Sequence, residues 1–178
     1  MKDVELKLIS ELMKNSRKSD RELAKVIGVS QPTLTRARAR LEKEGYIQEY
    51  TAIPDFRRLG YEIMAFIFVK LKEGLGAEEL QKARMITQED LSKKAPTEII
   101  LFERGLGLGY TGVIISFHKN YSEYTRFIQT FREASTTEAY VHENVESFLI
   151  DLKDKVRYRP LTLSVLADDV LKMEEEKE

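Results

Sequence analysis

Between Ser19 and Gly45 the chain carries two helix-start signals with a helix-stop between them, and few arrangements satisfy all three. In Ser19-Asp20-Arg21-Glu22 the serine hydroxyl can accept from a backbone N–H one turn on, while Glu22 reaches back to the Ser19 N–H. That reciprocal pair is a capping box. Leu23, Ala24, Val26 and Ile27 then supply an apolar face. Gly28 ends the helix, because glycine adopts the left-handed conformation at little cost. Ser30 offers a new N-cap, and Pro32 sits in the first turn, where its missing N–H breaks no bond. The second helix runs to Gly45. Two helices joined by a short turn containing glycine form a helix-turn-helix.

Read at about 100° per residue, the second helix has two unlike sides. Leu34, Ala37 and Leu41 face a core, whereas Pro32, Arg36, Ala39, Arg40 and Lys43 face away, flanked by Thr33 and Thr35. From Gln31 to Leu41 there are three Arg and no acid. Small residues between cations let a helix approach a polyanion closely. Arg and Lys suit phosphates or guanine edges, and Gln and Thr suit base edges or backbone. Ser30, Gln31, Thr33, Thr35, Arg36, Arg40 and Lys43 are therefore the candidate DNA-contacting residues, with a wing near Tyr50–Thr51 holding the backbone. The alternative for an isolated helix is an ordinary solvated basic face. Here the capped partner helix and the tight turn favour recognition.

Charge is distributed to match. Residues 1–60 hold 13 Lys and Arg against 9 Asp and Glu, while the remainder holds 16 against 21. A basic amino-terminal part on an acidic remainder implies that the first part meets the polyanion. No run approaches ~18 apolar residues, so no membrane span is expected. The amino terminus lacks the apolar core of a secretory signal. Zero Cys excludes disulfides and thiolate metal sites and fits a reducing cytoplasm. His118 and His142 cannot by themselves make a metal site, and each reads as an ordinary surface or strand residue.

Taken in order, residues 3–14 predict a first helix, with Val4, Leu8, Ile9, Leu12 and Met13 as its apolar stripe. After the helix-turn-helix, Tyr46-Ile47 and Tyr50–Ile53 predict two short strands, so residues 1–53 form a winged helix-turn-helix domain. Residues 54–61 form a linker, with Arg57 and Arg58 on a short helix. Tyr61–Lys72 predicts a strand that is apolar on both faces, with Met64, Phe66 and Phe68 on one and Ile63, Ala65, Ile67, Val69 and Leu71 on the other. Residues 76–94 predict a helix with Leu80, Ala83 and Leu91 inside. Two strands follow over Thr97–Glu103 and Tyr110–Phe117, then a helix over Asn120–Ala134 and a strand over Ala139–Leu152. The resulting fold class is α+β, with a ferredoxin-like βαββαβ domain over residues 62–152. Its second sheet face, carrying Phe66 and Phe68, predicts a partner surface, most simply a second copy. Residues 153–178 form a carboxy-terminal extension. Within it Leu163, Leu166, Val170 and Met173 fit a helical stripe, TLSVL also reads as strand, and the last residues EEEKE read as a frayed charged end.

The chain resembles the leucine-responsive/asparagine-operon (Lrp/AsnC) family of transcription regulators over roughly residues 3–152. The resemblance rests on Asp3…Leu8-Ile9, Asn15-Ser16-Arg17, Arg21-Glu22-Leu23-Ala24, Gly28-Val29-Ser30, Leu34, Arg40-Leu41-Glu42, Gly45-Tyr46-Ile47 and Leu59-Gly60-Tyr61. It implies a dimer made through the carboxy-terminal sheets, often assembled further into tetramers or octamers. It also implies binding to palindrome-like double-stranded DNA, and often an amino-acid effector bound between carboxy-terminal domains. Two positions depart from the family pattern. An apolar residue is usual where this chain has Arg38 and a basic one where it has Ala37, so Arg38 is expected to snorkel or to pair with a carboxylate. The hairpin that commonly carries Thr/Ser-Gly and an acid close to the effector here reads Gly105-Leu106-Gly107-Leu108-Gly109-Tyr110-Thr111-Gly112.

Gly107–Gly112 matches G-x-G-x-x-G, but a dinucleotide site needs a helix to follow, and Val113–Phe117 alternates as a strand. The match reads as a hairpin turn. Its bare backbone at Gly105, Gly107 and Gly109, with the Thr111 hydroxyl, is a candidate small-ligand site at a subunit interface; the other reading is a hairpin without ligand. No catalytic set, cofactor motif or metal-ligand spacing emerges, so the chain does not read as an enzyme. A haem-biosynthesis decarboxylase branch resembles the family, but in the segment where it relies on His and Arg this chain has Leu101-Phe102-Glu103-Arg104, without an acid–base pair. The rival from another class is a ligand-sensing or scaffolding protein whose helix-turn-helix meets protein.

Overall fold

The computed structural model describes residues 3–94, 98–141, 145–154 and 161–172. In chain order the elements are α1 (Asp3–Lys14), α2 (Asp20–Ile27), α3 (Gln31–Lys43), β1 (Ile63–Val69), α4 (Ala77–Lys94), β2 (Ile99–Gly107), β3 (Tyr110–His118), α5 (Tyr121–Glu133), α6 (Ser135–Tyr140), β4 (Glu146–Asp151) and, after a short 3₁₀ turn at Ser164–Leu166, α7 (Ala167–Lys172). They fall into two compact units, one of residues 1–53 with 157–178 and one of residues 54–156. No helix among the described residues is long and apolar enough to cross a membrane.

In the first unit α1, α2 and α3 close on one another because each contributes leucines to the same centre. Leu8, Leu12, Leu23, Ala24, Leu34 and Leu41 are buried together, with Ile9, Ile27, Val29, Ala37 and Ile47 packed around them. The predicted wing is not a β-ribbon: residues 47–55 have no strand pairing. A lone two-stranded ribbon is marginal in water, and this segment is held by side chains instead. The Tyr50 hydroxyl donates to Glu42 at 2.8 Å, which keeps the segment beside α3. Between the two readings of the extension, the structure takes the helical one over Ala167–Lys172. Met173, Pro160 and the terminal EEEKE lie outside the described residues.

The second unit is a four-stranded sheet of order β2-β3-β1-β4. Its neighbours are antiparallel throughout, as a βαββαβ chain requires. Ala65, Ile67 and Val69 of β1 and Ile114 of β3 are buried with Tyr124, Phe127 and Ile128 of α5. Ala83 of α4 is buried and Leu80 half-buried, while the Leu91 side chain lies outside the described residues. The opposite face carries Met64, Phe66 and Phe68. Ile115 and Phe148 stand in register beside Phe66 on that face, and Phe148 keeps 63% of its surface exposed. One corner is covered by the linker, where Phe56 stacks on Phe117 with ring centroids 4.0 Å apart. The short linker helix reduces to a turn over residues 56–60, closed by Gly60 at φ 86°. The final strand is shorter than expected, because Ala139 and Tyr140 complete α6 and only Glu146–Asp151 pairs with β1.

His118, read as an ordinary strand or surface residue, is a strand residue with no exposed surface. Its Nε2 lies 2.8 Å from Ser116 Oγ, Nδ1 has no hydrogen-bond partner among the described residues, and the Tyr124 and Phe127 rings pack against the imidazole. Desolvation lowers its pKa below 6.5, against the opposing pull of Glu98 and Glu123. A histidine depressed in the folded state takes up its proton more readily once unfolded. Stability is therefore full above the unfolded pKa and falls as pH drops from there towards the folded pKa. Thermal melts at stepped pH should show stability declining below about pH 6.5, by at most about 1.4 kcal/mol per pH unit from this group. His118→Gln should flatten that part of the profile, and an unchanged profile would assign the decline elsewhere. His142 lies outside the described residues.

Candidate nucleic-acid interface

The two helices of the motif are capped as their residues dictate. Ser19 accepts from the Glu22 N–H at 3.3 Å, and Glu22 Oε2 accepts from the Ser19 N–H at 2.8 Å. The Ser19 hydroxyl also donates to Glu22 Oε2 at 2.7 Å, and this bond, followed by the one from the Ser19 N–H, holds the Glu22 carboxyl below the usual range. Gly28 closes α2 at φ 82° and donates to the Ala24 carbonyl. Ser30 caps α3 by accepting from the Thr33 N–H at 3.3 Å, and its hydroxyl lies 2.8 Å from that of Thr33.

Asp20, the first residue of α2, ties the two helices together. It accepts from the Thr35 hydroxyl at 2.7 Å, and its other oxygen lies 2.9 Å from Arg38 Nε. The Arg38 guanidinium also sits over the Tyr50 ring, 5.6 Å from its centroid. Arg38 thus pairs with a carboxylate, the second of the two outcomes that its inward angle left open. Tyr50 is half held in the same cluster, and partial burial followed by the Glu42 bond raises its pKa above 10.

The seven candidate side chains divide by what already holds them. Arg40 donates through Nη1 to the buried Glu5 at 3.1 Å and through Nε to Glu44 at 2.7 Å. Thr35 is bonded to Asp20, and Ser30 and Thr33 to each other. Gln31, Arg36 and Lys43 are exposed, and none has an ion pair or side-chain hydrogen bond among the described residues. Ala39 is exposed on the same side, so the backbone there is accessible. The geometry therefore concentrates available positive charge on Arg36 and Lys43, about two helical turns apart. Sequence reasoning passed over Arg17 and Arg21, used there only as motif letters. Both are exposed and without an ion pair among the described residues, at the end of α2 whose Asp20 touches α3. Their placement before and within the first turn of a capped helix was the available signal.

At the hairpin, Gly107–Tyr110 forms the turn, with Leu108 at φ 52° and Gly109 at φ 83°. Leu106 and Leu108 are 93% and 88% exposed. Gly105 and Gly107 belong to β2, and the Thr111 hydroxyl accepts from the Leu71 N–H at 2.8 Å, fastening β3 to the end of β1. Gly112 is confined: a Cβ there would lie 3.0 Å from Val69 Cγ2 and 3.2 Å from the Glu103 carbonyl. Among the described residues no group of His, Cys, Asp and Glu could hold a metal ion.

Residues 1–48 match the winged helix-turn-helix DNA-binding family. The HTH-type transcriptional regulator FL11 of Pyrococcus furiosus is 35% identical over 80 residues, 45% of this chain and 53% of that protein. The leucine-responsive regulatory protein of Rhizobium meliloti is 36% identical over 69 residues, 39% of this chain and 44% of that protein. The chain thus spans about half the length of these curated relatives. The solved structure of PH0061, an uncharacterised HTH-type transcriptional regulator of Pyrococcus horikoshii, aligns with a TM-score of 0.70 at 25% identity, covering 90% of this chain and 98% of that one. That of the Neisseria meningitidis transcriptional regulator NMB0573 in complex with L-Met shares the fold, with a TM-score of 0.69 at 17% identity over 92% of this chain and 95% of that one. Fold and motif together define a helix-turn-helix protein with an appended ferredoxin-like domain. Over its amino-terminal part the chain is similar to curated HTH-type and leucine-responsive transcription regulators, and its fold is that of the PH0061 structure.

Proposed function

We propose that the chain is a sequence-specific transcription regulator that binds duplex DNA through α3 as a homodimer. The observation that carries this is the division of cations on α3: Arg38 and Arg40 are held by Asp20, Glu5 and Glu44, while Arg36 and Lys43 remain available beside Ala39. Arg36 and Lys43 reach phosphates or base edges, and Gln31 reads an edge near the helix start. Arg17 and Arg21 hold the backbone where the first helix of such a motif crosses it. Ser30, Thr33 and Thr35 shape the helix start and contact DNA only by exchanging their present bonds. The open apolar face around Phe66 supports pairing of two copies, which would read half-sites about one helical turn apart or a multiple of it. The same reading places the protein in the cytoplasm with its DNA.

The test is retention of a random duplex pool, followed by fluorescence anisotropy at two salt concentrations and sequencing of what stays bound. Four available cations per copy and two copies give an expected log–log salt slope approaching about −7. Enrichment of a two-fold symmetric motif with a steep slope supports the reading. Failure to retain any duplex at low salt would move it to a protein-binding scaffold with the same fold. A small effector at Gly105, Gly107, Gly109 and Thr111 is a second element of the proposal, supported by the L-Met named with the Neisseria relative. Amino acids that shift the melting temperature of the chain but not of Thr111→Val would support it.

A further inference from the structure

Two faces of α1 are buried, and the helix-turn-helix accounts for one. Leu8 and Leu12, four residues apart, belong to the core shared with α2 and α3. Leu6, Ser10 and Lys14 form a second row at the same spacing on a different side of the helix. Leu6 and Ser10 are nearly fully buried, yet neither belongs to that core. At the end of this row, Lys14 Nζ lies 2.8 Å from Asp168 Oδ1, in the first turn of α7. Each partner shifts the other in the sense of an attractive pair, the Asp168 carboxyl below its usual range and the Lys14 ammonium above. Ala167 is fully buried. Leu171 joins Lys7, Ser10, Glu11, Val26 and Ile27 around a hollow of about 190 Å³. By its contacts, the segment that follows the ferredoxin-like unit in sequence groups with the helix-turn-helix unit that precedes it.

A helix of this length has no stability of its own, because nucleation costs more than a few hydrogen bonds return. α7 therefore exists as a helix only while docked, and its bound and released forms differ by an order–disorder step. We propose that residues 161–172 are a releasable strap: a fourth helical element of the DNA-binding unit, supplied by the same chain, that covers the Leu6, Ser10 and Lys14 face of α1 and stabilises that unit. The surface pair Lys14–Asp168 sets the register and contributes little energy, while the side of the strap with buried Ala167 and half-buried Leu171 supplies the hold. Anything that engages the carboxy-terminal segment in preference to α1 releases the strap and loosens the unit. The inference does not depend on DNA binding.

The chain has no cysteine, so introduced thiols are unambiguous. The full chain carrying Lys14→Cys and Asp168→Cys is treated with a short bismaleimide, natively and in urea, and the product is identified by peptide mass. Enrichment of an intrachain link in the native sample is expected. Ala167→Arg, which has no room for its side chain, should lower that yield about fivefold or more and the melting temperature by about 5 °C. Equal yields in urea and in buffer would overturn the strap, as would a yield unaffected by Ala167→Arg. Links found only between chains would overturn the same-chain assignment. A preserved melting temperature with a lost link would overturn the stabilising role.

Discussion

Arg36→Ala is expected to weaken binding to the selected duplex by about 1–3 kcal/mol per contact while leaving the melting temperature and the oligomer unchanged. Arg36 is exposed and has no ion pair among the described residues, so its removal breaks nothing within the fold. Two copies each lose one contact, and the log–log salt slope should become shallower by about 2. Anisotropy titrations at several salt concentrations read both quantities. Arg40→Ala, on the same exposed side, should behave differently. It withdraws one partner from the buried Glu5 carboxylate and another from Glu44, so it should lower the melting temperature as well. If Arg36→Ala left affinity unchanged while Arg40→Ala abolished it without a stability cost, the assignment of α3's exposed face would be wrong.

Phe66→Asp should convert the proposed dimer into monomers. Phe66 occupies the middle of β1 on the open sheet face, flanked in register by Ile115 and Phe148. Burying such a side chain in an interface is worth about 1.5–3 kcal/mol, and two-fold symmetry counts the position twice. A carboxylate there adds the cost of burying charge. Sedimentation over a concentration series should show the dimer constant weakened by more than about a hundredfold, with the monomer still folded. Its DNA affinity should fall in parallel, because one copy holds one half-site. A dimer that survives Phe66→Asp would place the interface on another face.

Much of this was legible from local chemistry. The capping box at Ser19–Glu22, the stop at Gly28 and the cap at Ser30 are interactions between residues within one turn, and they appear as expected. The alternation of Tyr61–Lys72 predicted two apolar sheet faces, and β1 has both. The Gly107–Gly112 segment lacks a following helix, and it is a hairpin. What failed depended on partners distant in sequence. The wing strands had β-like residues and no third strand to pair with, and Tyr50 found Arg38 and Glu42 instead. His118 read as a surface or strand residue, and it is a strand residue; its complete burial was not legible because nothing local says that α5 lies over it.

The candidate interface shows the same boundary most directly. Angle and composition suffice to place a basic face on α3. Which of its cations are available follows from the folded arrangement, because Glu5 lies 35 residues from Arg40 and Asp20 lies on the preceding helix. The second buried face of α1 was hidden for the same reason: Leu6 and Ser10 follow no complete apolar stripe, and their cover comes from the other end of the chain. Periodicity reports which side of an element is apolar, whereas charge pairing and end-to-end packing depend on distances that exist only once the chain has folded.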